Sequence, residues 1–341
     1  MILSVLAVSV CGASVPIPHP LTMLLRDPQV HRDLALQPAQ VAAVVAAVEE
    51  AELPLWRLRD LPPEKRREPA GKLLDRLRAE LSGVLSPQQR ERLNQITLQA
   101  RGLPAIVESA VAAQLKLSAS QTQRIKALLE ALERELATLQ RGGAVTRNAD
   151  RIRRRKIRGE RDILAILSKE QRHALRTLTG QAFDLTQVRQ VACRAPELEG
   201  VEAWIHSDAL TLAQLRGQVV VVHFYTYGCI NCIRNLPHYN AWFDYFARDE
   251  LKIVGIHRPE TEGERVIDQV RSKATAAGLE YPIAIDNQSR NWNAWANRVW
   301  PSVYLVDKEG FVRYWWYGEL NWDRAEGEKW MRRKIEELLR E

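Results

Sequence analysis

Apolar residues recur every three or four positions through most of the first half of the chain, from residue 21 to residue 188. This spacing places them on one face of a helix, and the alternation of β-branched residues that is typical of strands is almost absent. The pattern predicts helices over residues 39–51, 72–81, 88–98, 121–139 and 170–183. We therefore expect residues 21–190 to form an all-α domain.

Four short phrases of similar sequence begin these helical stretches, at residues 36–40, 85–89, 117–121 and 167–171. Three of them read Ser-x-x-Gln, a spacing at which the two side chains cap the first turn of a helix reciprocally. The second and fourth phrases begin at Leu85 and Leu167, 82 residues apart, which indicates a duplicated helix pair. The phrases also resemble, over a few residues in each copy, the LTxxQ signature of Spy/CpxP-like periplasmic helical proteins.

After Arg194 the pattern changes to alternating strands and helices. Residues 218–225 form a continuous apolar run that is typical of a strand buried on both faces. Further strands are predicted at 251–257, 282–285, 302–306 and 311–316, and helices at 230–247, 263–277 and 325–340. The order is that of a thioredoxin fold with a mixed central sheet over residues 195–341. The predicted fold class is therefore α+β with two domains, an N-terminal helical duplication and a C-terminal α/β thioredoxin fold.

Composition and charge support two domains of different character. The length of 341 residues suits two cores, and 46% hydrophobic residues exclude wholesale disorder. Residues 195–341 hold 18 basic and 22 acidic residues, a net charge of −4, which leaves 31 and 20, or +11, for residues 1–194. Nine of the ten tryptophans also follow residue 193. Because the eight basic residues between 147 and 161 have no aromatic residues among them, we interpret them as a solvated helix face and expect no specific nucleic-acid partner.

The first 20 residues are predicted to be a signal peptide or a lipoprotein signal. They are uncharged, contain an apolar stretch over residues 2–10, and then contain small residues beside Cys11. No basic residue precedes Arg26, and the bulky Val10 does not suit a lipoprotein site, so a buried strand or a misplaced start remains an alternative. We expect export to the periplasm or cell envelope, with a cytoplasmic location as the alternative.

The cysteine pair Cys229 and Cys232 follows a predicted strand and opens a predicted helix. A thiol at a helix N-terminus faces unpaired amides and the positive end of the helix dipole, which favour its thiolate. Cys229 is therefore expected to be the nucleophile and Cys232 the resolving thiol. A zinc site needs a second ligand pair, but Cys11 and Cys193 are isolated and His238 is the one nearby candidate. No metal ion and no cofactor are expected.

The segment FYTYGCINCIRNLP, residues 224–237, resembles the active-site segment of redoxin/TlpA-like thioredoxin domains, most closely that of DipZ-type thiol reductases. The resemblance continues through residues 254–260, 281–287 and 292–301, and covers about 195–325. It implies that Pro301 is a cis proline facing the cysteine pair, where it frees the backbone of Trp300 for pairing with a substrate peptide.

The same resemblance points to one departure, because thioredoxins carry a buried carboxylate at the position of His223. A neutral imidazole can act as a general base near neutral pH, so His223 is predicted to help deprotonate Cys232. A buried histidine that bonds a backbone carbonyl is the alternative.

The leading hypothesis is a thiol–disulfide oxidoreductase that reduces protein or small-molecule disulfides and is recharged by an unidentified thiol donor, which an envelope location would allow to be membrane-bound. A peroxiredoxin-like antioxidant is one alternative, because Thr226-x-x-Cys229 with Arg298 fits a peroxidatic site, although the close second cysteine argues against it. The other alternative is a non-catalytic helical binding module, of unknown partner, that uses the redoxin domain for docking.

Overall fold

The computed structural model describes residues 17–140, 148–246 and 250–341. The chain divides into two compact units, and the boundary between them falls between Gln190 and Val191. Most of the predicted signal segment, including Cys11, lies outside the described residues. Among the described residues, no helix combines the length and the apolar character that crossing a membrane requires.

The first unit is helical, as predicted. Its helices are α1 (Pro20–Arg26), α2 (Pro28–Asp33), α3 (Pro38–Trp56), α4 (Pro63–Val84), α5 (Pro87–Arg101), α6 (Ser109–Gln114), α7 (Ala119–Gln140), α8 (Ala149–Ile166) and α9 (Lys169–Thr179). Five of these helices begin with a proline, whose missing N–H is not needed in the first turn of a helix. The predicted helix over 170–183 is too long, because Gly180 adopts a positive φ of 61° that ends α9 at Thr179.

The duplication is visible in two matching glutamine pairs. The side-chain amides of Gln40 and Gln89 bond each other in both directions, at 3.0 and 3.2 Å, and those of Gln121 and Gln171 do so at 2.8 and 3.1 Å. Each Oε1 also accepts the N–H of the residue that caps its own helix. The recurring glutamine therefore caps one helix and ties it to the partner helix of the same copy.

Each copy also has its own apolar core. Leucines and valines of α1–α5 form one buried cluster, and residues of α7, α8 and α9 form another around Ile125 and Ile163. The basic stretch lies largely on α8, where Arg151, Arg154 and Arg158 are exposed. This exposure agrees with a solvated helix face.

The second unit is built on a mixed sheet, as predicted. Its strands are β1 (Cys193–Arg194), β2 (Trp204–Ile205), β3 (Val219–Tyr225), β4 (Leu251–His257), β5 (Ile283–Ile285), β6 (Ser302–Val306) and β7 (Phe311–Tyr317). Its helices are α10 (Ile230–Tyr245), α11 (Ile267–Ala276), α12 (Arg290–Ala294) and α13 (Gly327–Arg340). The strand order is β1-β7-β6-β3-β4-β5-β2, with β3, β4 and β5 parallel to one another. This is the sheet of a thioredoxin fold, with the short strands β1 and β2 added at its edges.

The central strand β3 is buried along its whole length. Its side chains alternate between two cores, because successive residues of a strand point to opposite faces. Val219, Val221 and Tyr225 pack in one cluster with residues of α10, α11 and α13, while Phe224 packs against Trp295 and Tyr304 on the other face. The strand therefore delivers the turn that follows it, and the cysteine pair, to a fixed place at the carboxyl edge of the sheet.

Candidate active site

The two thiols lie at the start of α10 in different surroundings. Cys229 is the N-cap residue of the helix, with extended backbone angles (φ −83°, ψ 113°), and is partly exposed. Cys232 lies in the first turn and is fully buried. The unpaired amides of this first turn face the Cys229 side, where they favour a negative charge on sulfur.

Cys232 is held as a protonated thiol. Its burial, a hydrogen bond with Cys229 and the charge of Glu260 all raise the pKa of the Cys232 thiol, while a hydrogen bond with the backbone of Thr226 partly opposes the shift. Cys232 therefore needs a proton acceptor before it can attack a neighbouring sulfur. This asymmetry suits one nucleophilic and one resolving thiol.

Pro301 lies at the same edge of the sheet as the cysteine pair. The Trp300–Pro301 peptide bond is cis. The next residue, Ser302, pairs with Phe224 near the end of β3, which brings Pro301 to the level of the turn that precedes Cys229. The substrate-binding role of Pro301 stays a prediction.

His223 lies on the α10 side of β3, inside a cage of tyrosines. Its ring stacks on Tyr239 with 4.2 Å between ring centroids, and Tyr225 and Tyr281 lie at 5.2 and 5.4 Å. Neither ring nitrogen forms a hydrogen bond within the described part of the chain. The alternative expectation, a hydrogen bond from the imidazole to a backbone carbonyl, is therefore not observed there. Burial lowers the pKa of His223 to about 3, which keeps the imidazole neutral. Its role as a base for Cys232 stays a prediction.

Three polar residues form a network beside the cysteine pair that the sequence pattern did not predict. Thr226, His257 and Glu264 are each buried, and Thr226 Oγ1 lies 3.4 Å from His257 Nε2. The hydroxyl of Thr226 also helps to lower the pKa of the Glu264 carboxyl. The sequence could have indicated His257, because this residue ends a strand parallel to β3. The carboxyl ends of adjacent parallel strands meet at one edge of a sheet.

Burial and hydrogen bonding determine the charge states of His257 and Glu264. Burial lowers the pKa of His257 to about 4, although the charge of Glu264 opposes the shift. Burial raises the pKa of the Glu264 carboxyl, but hydrogen bonds from Thr226 and from two backbone amides outweigh it and leave the pKa below its ordinary value. The network therefore holds a neutral imidazole and an ionised carboxylate at neutral pH.

Other candidate residues lie apart from this arrangement. His238 is half-buried and its Nε2 lies 3.4 Å from Asn321 Nδ2. Arg298 is exposed. Within the described ranges, no group of three or more His, Cys, Asp or Glu side chains is arranged to hold a metal ion.

The topology and the cysteine pair at the start of α10 define the second unit as a thioredoxin-fold redoxin domain. Residues 191–315 match the model of the AhpC/TSA family.

Curated relatives show the same likeness. The protein DipZ of Mycobacterium tuberculosis is 38% identical over 135 residues, which are 39% of this chain and 19% of DipZ. The thiol-disulfide oxidoreductase YkuV of Bacillus subtilis is 27% identical over 147 residues, which are 43% of this chain and 94% of YkuV. A solved thioredoxin-like superfamily protein, SPOA0173, is 26% identical with a TM-score of 0.39, over 43% of this chain and 97% of that one. The chain thus spans about a fifth of the length of DipZ.

Proposed function

We propose that this protein is a thiol–disulfide oxidoreductase that reduces disulfides of protein or small-molecule substrates. The observation that carries the proposal is the pairing of a partly exposed thiol at the helix N-cap, Cys229, with a buried thiol one turn later, Cys232. The first can reach a substrate and the second cannot. The relatives named for thiol–disulfide chemistry support the same reaction class.

The reaction proceeds in two exchanges. The Cys229 thiolate attacks one sulfur of the substrate disulfide, so that a mixed disulfide forms and the other substrate sulfur leaves as a thiolate. Cys232 then loses its proton and attacks the Cys229 sulfur, which breaks the mixed disulfide and releases the second substrate thiolate. The substrate is reduced by two electrons and the pair becomes a disulfide. An external thiol donor, which we expect in the periplasm or cell envelope, restores the dithiol.

Reduction of insulin disulfides with dithiothreitol as the donor tests this function. The full chain should accelerate the reaction, the Cys229→Ser variant should not, and the Cys193→Ser variant should match the wild type because Cys193 lies buried in β1. Consumption of hydrogen peroxide is measured beside it. Peroxide turnover that exceeds insulin reduction and depends on Cys229 would favour the peroxiredoxin-like alternative, and no turnover of either substrate would favour a binding module.

A further inference from the structure

The turn that carries Cys229 packs against a buried carboxylate that the two exchanges do not use. Glu264 is only 5% exposed and lies in a short helical turn, Glu262–Arg265, which follows β4. Its Oε2 accepts the N–H groups of Glu260, at 2.6 Å, and of Thr261, at 3.2 Å. The carboxylate is therefore fixed by the backbone of its own loop.

The other carboxylate oxygen faces the turn between β3 and α10. A Cβ atom on Gly228 would overlap Oε1 of Glu264, so the absence of a side chain at Gly228 is what admits the carboxylate. At the start of the same turn, Thr226 Oγ1 lies 3.4 Å from His257 Nε2, and the hydroxyl of Thr226 helps to lower the pKa of the Glu264 carboxyl. The close approach of Glu264 to the 226–228 turn is therefore at Gly228.

The same turn sets the position of both thiols. The carbonyl of Thr226 accepts the N–H of Cys229 at 3.4 Å, and the backbone of Thr226 partly opposes the rise in the pKa of the Cys232 thiol. An ionised carboxylate is costly to bury unless hydrogen bonds compensate for its lost hydration. Here the compensating N–H groups belong to Glu260 and Thr261, in the loop that packs against the turn before Cys229. Loss of the carboxylate should therefore loosen the contact between this loop and that turn.

We propose that Glu264 is a positioning residue whose buried carboxylate holds the 226–228 turn in the geometry that attack by Cys229 requires. This inference deepens the proposed function and rests on it for the reaction being measured. The contact between Glu264 and Gly228 does not depend on that function.

A double-mutant cycle in the full chain tests the proposal with Gly228→Ala, Glu264→Ala and both together. Loss of hydrogen bonds to a charged group should lower kcat/KM for insulin reduction about tenfold in Glu264→Ala, mainly through kcat. Gly228→Ala should have a similar effect because its Cβ displaces the carboxylate, and the double variant should match the single variants. If the carboxylate only fills space, Glu264→Ala will be as active as the wild type and will rescue Gly228→Ala, which would overturn the proposal.

Two further variants separate positioning from a loss of folding. Glu264→Gln keeps an oxygen for the backbone amides and should stay within about threefold of the wild type. Glu262→Ala removes an exposed carboxylate of the same loop, paired with Arg265, and should change nothing. Thermal unfolding of each variant identifies any that fails to fold. If Glu264→Ala fails to fold, Glu264→Gln and Gly228→Ala are compared instead. An equal loss of kcat/KM in these two variants would contradict the proposal.

A measurement without substrate keeps this inference separate from the proposed function. Iodoacetamide alkylation of Cys229 in the reduced full chain is followed by mass spectrometry of its peptide, together with the thiol–disulfide equilibrium against glutathione. Glu264→Ala should slow alkylation at least about threefold and shift the equilibrium, because the thiol is no longer held over the first-turn amides. An unchanged rate and equilibrium would overturn the positioning role even in an active enzyme. A wild type without disulfide reduction would refute the proposed function alone.

Discussion

Two thiols one helical turn apart are distinguished by their surroundings rather than by their chemistry. Cys229 is partly exposed at the N-cap of α10, and Cys232 is enclosed by apolar side chains that raise the pKa of its thiol. The sequence motif predicted the pair and the order of its roles, since the strand before it and the helix after it were both recognisable. The linear motif could not show which groups surround Cys232, because Tyr225 and Tyr239 come from different elements.

We expect His223→Ala to slow the resolving step and to leave the first attack by Cys229 nearly unchanged. The prediction rests on the imidazole accepting the proton of Cys232, which its lowered pKa of about 3 opposes, whereas alanine offers no acceptor at all. Stopped-flow kinetics should show mixed disulfide accumulating in this variant. His223→Asp should restore resolution, because it recreates the thioredoxin arrangement. His223→Phe keeps the aromatic packing without a base, so a normal resolving rate in that variant would assign His223 to packing alone.

The buried histidines should make the protein sensitive to acid. Burial lowers the pKa from 6.5 to about 3 for His19 and His223 and to about 4 for His257. Below about pH 6.5 the unfolded chain therefore binds protons that the folded chain does not, and the free energy of unfolding falls as the pH falls towards 4. Each histidine contributes about 3 kcal/mol over this range. Urea unfolding across the range should show a shallower decline for His223→Phe, and a parallel decline would contradict the assignment.

The helices of the first unit are joined by capping glutamines that act in pairs. The spacing of the Ser-x-x-Gln phrases predicted the caps, but it could not show that Gln89 also bonds Gln40 across two helices. The helix α7 was predictable because its apolar periodicity extends over several turns, and β3 because its apolar run is continuous over the whole strand. The strands β1 and β2 were not, since two residues carry no period and pair only because β7 and β5 present open edges.

Gln89→Ala should lower the free energy of unfolding of the helical unit by about 1–2 kcal/mol. The change removes one cap and one side of the reciprocal amide pair, each of which contributes about 1 kcal/mol. Gln88→Ala is the matched control, because Gln88 is exposed in the same helical turn. Circular dichroism during urea unfolding measures the free energy of unfolding of both variants. Equal values for Gln89→Ala and Gln88→Ala would show that hydrogen bonds to water replace those of Gln89 without loss of stability.

The molecule as a whole divides into a helical unit and a redox unit, each with its own apolar core. Every residue of the proposed mechanism lies in the second unit. Residues 191–341 expressed alone should therefore fold and reduce insulin disulfides with kcat/KM within about twofold of the full chain, because this unit has its own apolar core. A large loss on removing the first unit would mean that the helices take part in turnover.

In the proposed reaction Cys229 attacks and Cys232 resolves, and trapping of the mixed disulfide distinguishes these two roles. The Cys232→Ser and Cys229→Ser variants are reduced, incubated with disulfide-bonded insulin and alkylated. Peptide mass spectrometry then locates any mixed disulfide. We expect a stable mixed disulfide at Cys229 in the Cys232→Ser variant, and none in the Cys229→Ser variant because Cys232 is buried and protonated. An adduct at Cys232, with none at Cys229, would show that the two roles are reversed.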